Sequence, residues 1–415
     1  MTTGLLALFL AVGADTLRVG EAGTYTRIAD ALRAAVPGQV VLVGPGTWRE
    51  PTLLLDRPVT LVGQPGAILD GNGERSILLV TADDVTIAGL TLQHTGTAQV
   101  DERAALRVRG AARCHVHGNT IIDAQFAIYL EKTRGCEVRD NVVRGPAARQ
   151  MSAGNGIHAW QSEGTVVVGN RVTGHRDGIY FEFVTGGRVA RNISEQSARY
   201  GMHFMFSNDC AYEGNTYQDN GNGVAVMYSR RVTMRGNTFA RSHGSAAYGL
   251  LLKDINDSEI VDNRFLSNSV GLYLEDASTN RVVGNTFREN GWALRTLASA
   301  QGNRYEGNTF ELNAFDVTTN SRQAVSTFRG NYWDRYRGYD LDRNGVGDVP
   351  HLPVRLFSLV VEQSPASALL LRSILVDLMD LAERAFPALT AADIRDEAPL
   401  LVPPGAARSP APRVP

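Results

Sequence analysis

Apolar and polar positions alternate along most of this chain in short runs, and the runs keep step with a recurring Asn. The series is Asn119, Asn141, Asn170, Asn192, Asn215, Asn237, Asn263, Asn285, Asn308 and Asn331, mostly inside GNT, GNR or GNTF phrases. Three residues before each stands an apolar or aromatic side chain, such as Val116, Val138, Val189 or Phe328. Two residues after it stands another, such as Ile121, Val143, Phe265 or Trp333, with Ser194 as the exception. Successive spacings are 22, 29, 22, 23, 22, 26, 22, 23 and 23 residues. That period is too short for tetratricopeptide or WD40 units and the phrase is not Leu-rich, which predicts one coil of a parallel β-helix per Asn. Both apolar columns then point inward. The Asn between them is expected in a turn, tolerating left-handed backbone and hydrogen-bonding its counterpart one coil away. The two longer spacings place loop insertions at Pro146 to Ala153 and Ser242 to Ala246.

The predicted fold class is therefore all-β, a right-handed parallel β-helix over residues 17–350. Near Ile28 to Ala35 a short helix should cover the open first coil, whose strand edges would otherwise invite aggregation. About thirteen coils at ~4.8 Å each make a rod of roughly 60 Å. Residues 351–390 form an extension with an amphipathic helix, in which Leu371, Ile374, Leu378, Leu381 and Ala385 share one face. Arg372, Asp377, Asp380 and Glu383 share the other, and Pro387 closes the helix. Two roles are open for it: a cap folded over the last coil, or an anchor to a partner. The tail, 391–415, is rich in Pro, Ala and Arg and is expected to be disordered.

Residues 1–16 are apolar and end in small residues, as an export signal does, although no Lys or Arg precedes the run. An apolar first strand is the alternative. Elsewhere no uncharged apolar run reaches the roughly 18 residues of a membrane span. Net charge is −2, and of 41 basic residues only Lys132 and Lys253 are Lys, so no basic stripe offers itself to nucleic acid. Cys114, Cys136 and Cys210 each fall five residues before a marker Asn, on the inward side. Cys114 and Cys136 should be neighbours in consecutive coils, and are expected as small core residues rather than a disulfide.

Candidate chemistry lies on a second repeated strand: GIHAWQ at 156, GIYFEF at 178, GMHFMF at 201, GVAVMY at 223, GLLLKD at 249 and GLYLED at 271, preceded by AIYLEK. The first and third residues after the Gly are apolar and face in, so the second and fourth face out. Two outward columns result. One is Tyr129, His158, Tyr180, His203, Ala225, Leu251 and Tyr273; the other is Glu131, Trp160, Glu182, Met205, Met227, Lys253 and Glu275. Exposed His, Met, Tyr and Trp do not serve solubility, so something should dock there. His203 and Met205 share a face at ~7 Å, with Met227 and Glu182 one coil (~4.8 Å) to either side of Met205. Imidazole with thioether is a soft set that selects Cu(I). His158 lies about 10 Å from His203, across Tyr180. Three readings stay open: a protein-docking patch including Tyr180, Trp160, Lys253 and Tyr273; a copper site at His203, Met205, Met227, Glu182 and His158; or carbohydrate stacking on the aromatics. A polysaccharide-cleaving enzyme needs two carboxylates about 5–9.5 Å apart, and Asp177 with Glu182 is the best pairing available.

The phrases GHRDGIYFEF (174–183), RYGMHFMFSND (199–209), GVAVMYSRRVTMRGN (223–237), AAYGLLLKDI (246–255), TNSRQ (319–323) and GNYWDRYRGYDLDRNGVGDVP with PVRLFSLVVEQSP (330–365) are more specific than the GN repeats. Over roughly residues 20–390 the chain resembles the NosD family, periplasmic accessory proteins of nitrous oxide reductase maturation. The resemblance implies no catalysis by the chain itself. It implies a periplasmic scaffold on an inner-membrane ABC transporter, held to the permease, that helps deliver transient Cu(I) for the reductase's copper-sulfide centre. Its expected partners are the permease through the C-terminal helix, a copper donor chaperone and the reductase.

One further motif, DLDRNGVGD, sets oxygen ligands at Asp340, Asp342, Asn344 and Asp348 with Gly345 at the sharp turn, like the first half of an EF-hand loop. His351 stands where the twelfth-position Glu would be. Bound Ca²⁺ and a plain turn are the two readings, and Asp334 could add a ligand.

Overall fold

A computed structural model of the chain describes residues 16–98, 102–146, 153–321, 323, 325–370, 373–386 and 393–405. The expected export signal and most of the first loop insertion lie outside these residues. Among the described residues, three parallel sheets of 14, 12 and 13 strands run along a solenoid. Each coil gives one strand to each sheet, as His115–His117, Thr120–Ala124 and Phe126–Glu131 do. Strands pair in register with their equivalents one coil on, so Val116, Val138, Val167 and Val189 form one buried column. Stacked rings fill the later coils: Phe239, Phe265, Phe287, Phe310 and Trp333 follow one another at 4.2 to 4.9 Å between centroids. Ser194, the apparent gap in the inward pattern, is buried and donates its hydroxyl to the Gly201 carbonyl at 2.7 Å.

The asparagine ladder is present from Asn119 to Asn331. Asn119 Nδ2 donates to Asn141 Oδ1 at 3.0 Å, and the same bond repeats down to Asn308 and Asn331 at 2.9 Å. Each receiving oxygen also accepts the backbone N–H of the preceding Asn, and the second amide hydrogen goes to a main-chain carbonyl, as from Asn215 to Val189 at 2.8 Å. These buried amides are therefore satisfied. One correction concerns the turn. The left-handed residue is not the Asn but the one before it, Gly118, Asp140, Gly169, Arg191 and Gly214 among them. The backward turn falls on that residue, usually a Gly with no Cβ to clash, which leaves the Asn free to aim inward.

Both ends of the solenoid are covered. At the first coil, α1 (Ile28–Ala34) buries Ile28, Ala31 and Leu32, and the carboxylate of Glu50 accepts its free N–H groups at Ile28 (2.7 Å) and Ala29 (3.0 Å). At the other end the strands stop at Trp333 rather than near 350, because the inward apolar columns stop there too. The segment 393–405, expected to be disordered, instead lies across the last coil. Its Asp396 is fully buried and accepts hydrogen bonds from the N–H groups of Gly330 and Asn331, from Asn331 Nδ2 and from Trp333 Nε1 at 2.9 to 3.1 Å. Composition signalled disorder, but a single carboxylate finishing the ladder is a local interaction that composition does not register.

Two helices follow the last coil. α2 (Leu356–Gln363) packs on the 12-stranded sheet through Phe357 and Val361 against Phe315, and α3 (Ile374–Ala385) adds Val376 and Met379 to that cluster. The opposite side of α3 is open, with Ile374 77%, Leu378 57% and Leu381 63% exposed. The helix is thus attached by one edge while its leucine face has no cover among the described residues.

Candidate metal centre on the outward sheet face

The 12-stranded sheet carries the two expected outward columns in the expected register. Tyr129, His158, Tyr180, His203, Ala225, Leu251 and Tyr273 are successive partners, as are Glu131, Trp160, Glu182, Met205, Met227, Lys253 and Glu275. The Gly that opens each strand faces inward at close quarters: a Cβ on Gly223 would meet the Gly249 carbonyl oxygen at 2.1 Å. Only a bare backbone fits there, which is why a Gly opens the six copies from 156 to 271, with Ala127 in that place one coil earlier.

The first column is not open to solvent as expected. His158 and His203 are each 7% exposed. Their rings bury one another: Tyr129 stacks on His158 at 4.3 Å, and the edges of Tyr180 meet His158 at 4.7 Å and His203 at 5.1 Å. Tyr200, from the strand's start, closes on His203 at 4.7 Å. Burial, aided by the charges of Arg176 and Arg107, pushes the His158 imidazole down to about 3, so it is neutral at ordinary pH. His158 and His203 remain separated by Tyr180, and the structure does not bring them together.

Behind His203 lies a buried ion pair that sequence reasoning did not assign to it. Asp177 is fully buried and accepts Arg199 Nε at 2.9 Å and Arg199 Nη2 as well. Burial alone would raise the Asp177 carboxyl, but the neighbouring His203 and Arg199 outweigh it and hold it below the usual range. Arg199 Nη2 also approaches His203 Nδ1 at 3.2 Å, while Asp177 Oδ2 stands 3.8 Å from the same nitrogen. The other ring nitrogen, Nε2, is buried with no hydrogen-bond partner, as is His158 Nε2. Glu182 stands beside Tyr180; burial and then Glu182 raise the Tyr180 phenol. Of the two carboxylates suggested for polysaccharide cleavage, Asp177 is buried and ion-paired with Arg199.

Met205 and Met227 are in-register neighbours, and the Tyr180 hydroxyl lies 3.9 Å from Met205 Sδ. Beside them runs a third column: Phe183, Phe206 and Tyr228 are exposed, stack at 5.1 Å per step, and sit in left-handed backbone at φ 54, 49 and 53. The same corner is left-handed at Lys132, Gln161, Asp254 and Asp276, so the conformation belongs to the coil and only the residue type is particular to these three. Reading one residue further in GIYFEF, GMHFMF and GVAVMY would have found the ladder. A thioether pair, a buried imidazole nitrogen without a partner and an aromatic edge fit a soft monovalent cation, with Glu182 the one-coil neighbour of Met205 on the side away from Met227.

Of the expected docking residues, Trp160 lies under Lys132, whose Nζ is 5.3 Å from the ring, and Lys253 pairs with Glu275 at 2.9 Å. Arg295 covers Tyr273 at 4.8 Å and binds Glu362 of α2 at 2.6 Å. The C-terminal helices thus sit on the same sheet face as the His/Met site, further along the rod.

The Asp340–Asp348 loop is folded on its own amides. Asp340 accepts from Gly345 N–H at 2.8 Å, Asp342 from Asn344 Nδ2 at 2.8 Å, and Asp348 from Leu341 N–H at 2.7 Å. Among the described residues, no three His, Cys, Asp or Glu side chains converge on a metal position, here or elsewhere. Cys114, Cys136 and Cys210 are buried free thiols, with Cys114 N–H 3.4 Å from Cys136 Sγ.

The fold and face together define a parallel β-helix protein whose one outward sheet carries His, Met and aromatic columns. Residues 140–338 match the family described as periplasmic copper-binding protein (NosD), and residues 11–209 match a family of unknown function. The chain is 32% identical over 377 residues, 85% of its length and 86% of the relative's, to a probable ABC transporter binding protein NosD of Pseudomonas aeruginosa. It is 29% identical to a protein of the same description from Stutzerimonas stutzeri, over 86% of this chain and 87% of that one. The chain belongs to the NosD family. Among solved structures, the catalytic domain of a GH87 α-1,3-glucanase superposes with TM-score 0.65 at 12% identity, covering 78% of this chain and 70% of that one. The mannuronan C-5 epimerase AlgE4 A-module of Azotobacter vinelandii gives 0.53 at 15%, covering 73% and 88%. At these identities the likeness is one of fold. No helix among the described residues is long and apolar enough to cross a membrane.

Proposed function

We propose that this protein carries Cu(I) in the periplasm for assembly of the copper-sulfide centre of nitrous oxide reductase, working with an ABC transporter. His203, Met205 and Met227 are the ligands, and a copper donor chaperone loads them. The observation that carries the reading is the buried, unpartnered Nε2 of His203 on the same outward face as two stacked thioethers. Unmade hydrogen bonds at buried nitrogens cost about 1–3 kcal/mol each, so a group left in that state points to a ligand. His158 and Glu182 flank the site without completing it. The copper-binding and transporter-binding descriptions of the family and its relatives support the same reading. The chain acts by holding and handing on the ion rather than by catalysis.

Attachment to the permease falls to α3, whose exposed Ile374, Leu378 and Leu381 make a helix-in-groove ligand. Cargo and anchor then share one face of the rod. The test is anaerobic Cu(I) titration against a chromophoric chelator, with oligosaccharide titration as control. One tight Cu(I) per chain that is lost in His203→Gln/Met205→Leu/Met227→Leu supports the reading. Sugar binding with no Cu(I) binding replaces it.

A further inference from the structure

The partners of His203 fix which of its nitrogens can bind an ion. A guanidinium only donates, so Arg199 Nη2 at 3.2 Å from Nδ1 requires the lone pair on Nδ1. With the lone pair on Nδ1, the ring's proton sits on Nε2, the nitrogen without a partner. In that tautomer Nε2 cannot ligate. For Nε2 to offer its lone pair, Nδ1 must carry the proton and have an acceptor. The acceptor present is Asp177 Oδ2, 3.8 Å away and clamped by Arg199. Arg199 keeps 40% of its side chain exposed, whereas Asp177 keeps none. One partner can swing out; the other cannot.

We infer that Arg199 and Asp177 form a tautomer switch behind His203. With Arg199 on Nδ1 the imidazole is held in its non-ligating form. When Arg199 withdraws, Asp177 takes the Nδ1–H and Nε2 becomes a donor to a soft cation. The change releases one proton from Nε2 and takes one up at Nδ1, so the net proton count is unchanged. Both residues act through His203 and are positioning residues, as carboxylates behind ligating imidazoles are elsewhere. The device also explains why a buried Asp–Arg pair lies on an outward face, where neither charge is needed for packing. This inference rests on the copper reading.

Imidazole ¹⁵N spectra of His-labelled protein test it, with the His203 signal assigned by its loss in His203→Gln. Metal-free wild type should show Nε2–H, and the Cu(I)-loaded protein Nδ1–H. In Arg199→Met the metal-free tautomer should already be Nδ1–H, with Cu(I) held about tenfold more tightly; Asp177→Asn should weaken Cu(I) binding about 10–100-fold. Should the exposed charge loss in Arg199→Met prevent folding, Arg199→Lys keeps the charge but lacks the planar fork, and should shift tautomer and affinity in the same direction by less. Nδ1–H in metal-free wild type overturns the inference. So does unchanged Cu(I) affinity in folded Arg199 variants while His203→Gln binds weakly, an outcome that leaves the copper reading standing. Equal Cu(I) binding by wild type and His203→Gln removes both.

Discussion

Two stacks of polar side chains run along this solenoid, one on each side of the wall, and they are built on the same spacing with opposite results. In the inner stack each Asn amide repeats one set of hydrogen bonds, from Asn119 through to the Asp396 carboxylate that ends it. In the outer stack Tyr129, His158, Tyr180 and His203 pack ring on ring to a similar burial, but the Nε2 atoms of both histidines are left unpaired. Self-complementary amides can satisfy one another at any coil; an imidazole between phenol rings cannot. The inner stack is therefore fold, and the outer one holds bonding capacity in reserve.

Breaking the inner stack should have the largest effect. Asn215→Leu removes the acceptor of Asn192 N–H and Nδ2–H and the donor to Val189 and Asn237. Several buried groups lose partners at about 1–3 kcal/mol each, so a loss of about 4 kcal/mol or more is expected by urea denaturation. His203→Phe, which keeps the ring and loses the unpaired Nε2 together with one contact, that of Nδ1 with Arg199, should cost only about 0.5–1.5 kcal/mol. Equal losses in the two variants would erase the distinction.

Next in size is acid sensitivity of the outer stack. The His158 imidazole is held down to about 3 by burial, against 6.5 for the free side chain. Between these values the unfolded chain binds a proton that the folded chain does not, so stability is full above pH 6.5 and falls as pH drops toward 3. The slope is about 1.4 kcal/mol per pH unit for this one group. His351 and His175, both lowered to about 4, add to the wild-type slope. His158→Phe should flatten the melting-temperature profile below pH 6.5 and leave it unchanged above. A variant profile parallel to wild type would mean that His158 is solvated.

A third comparison sets the two sides of α3 against each other. Leu378→Glu with Leu381→Glu changes exposed positions, so folding stability should move by no more than about 0.5 kcal/mol, while copurification with the permease is lost. Val376→Glu, on the buried side, should instead detach the helix from Phe315 and Phe357. Retained copurification in the double variant would assign the anchor to another surface.

Inward positions were legible in the sequence because a core column must be apolar at every coil, which repeats the signal some ten times. The ladder was legible for the same reason, although Asn268, Asn290 and Asn313 form a second one that the GN phrases do not mark. Outward contents were legible as residue types but not as environment. Alternation says that His203 faces out; it cannot say that Tyr180 and Tyr200 then bury it, or that Arg199, four residues away, folds back on its Nδ1. The Asp396 cap was invisible because it occurs once, more than sixty residues from its partners.

The smallest expected effect belongs to the Asp340–Asp348 loop, where a single copy contrasts with both stacks. We propose that it takes up Ca²⁺, since the hydrogen bonds from Gly345 and Asn344 to Asp340 and Asp342 preform the turn that an EF-hand-like loop uses. The site must be weak. Its twelfth position is His351, whose ring lies 5.0 Å from that of Trp333 and whose N–H bonds the Asp396 carbonyl, so it cannot supply the bidentate ligand of a tight site. Affinities of roughly 10⁻⁴–10⁻³ M follow for loops so depleted. At millimolar Ca²⁺ the linkage amounts to about 1 kcal/mol, or a rise of roughly 1–2 °C in melting temperature for a chain of this length. Calorimetry with Ca²⁺ and with chelator should show that difference in wild type and none in Asp342→Ala. Coincident transitions in all samples would reduce the loop to a turn that joins the last strand to the segment crossing it.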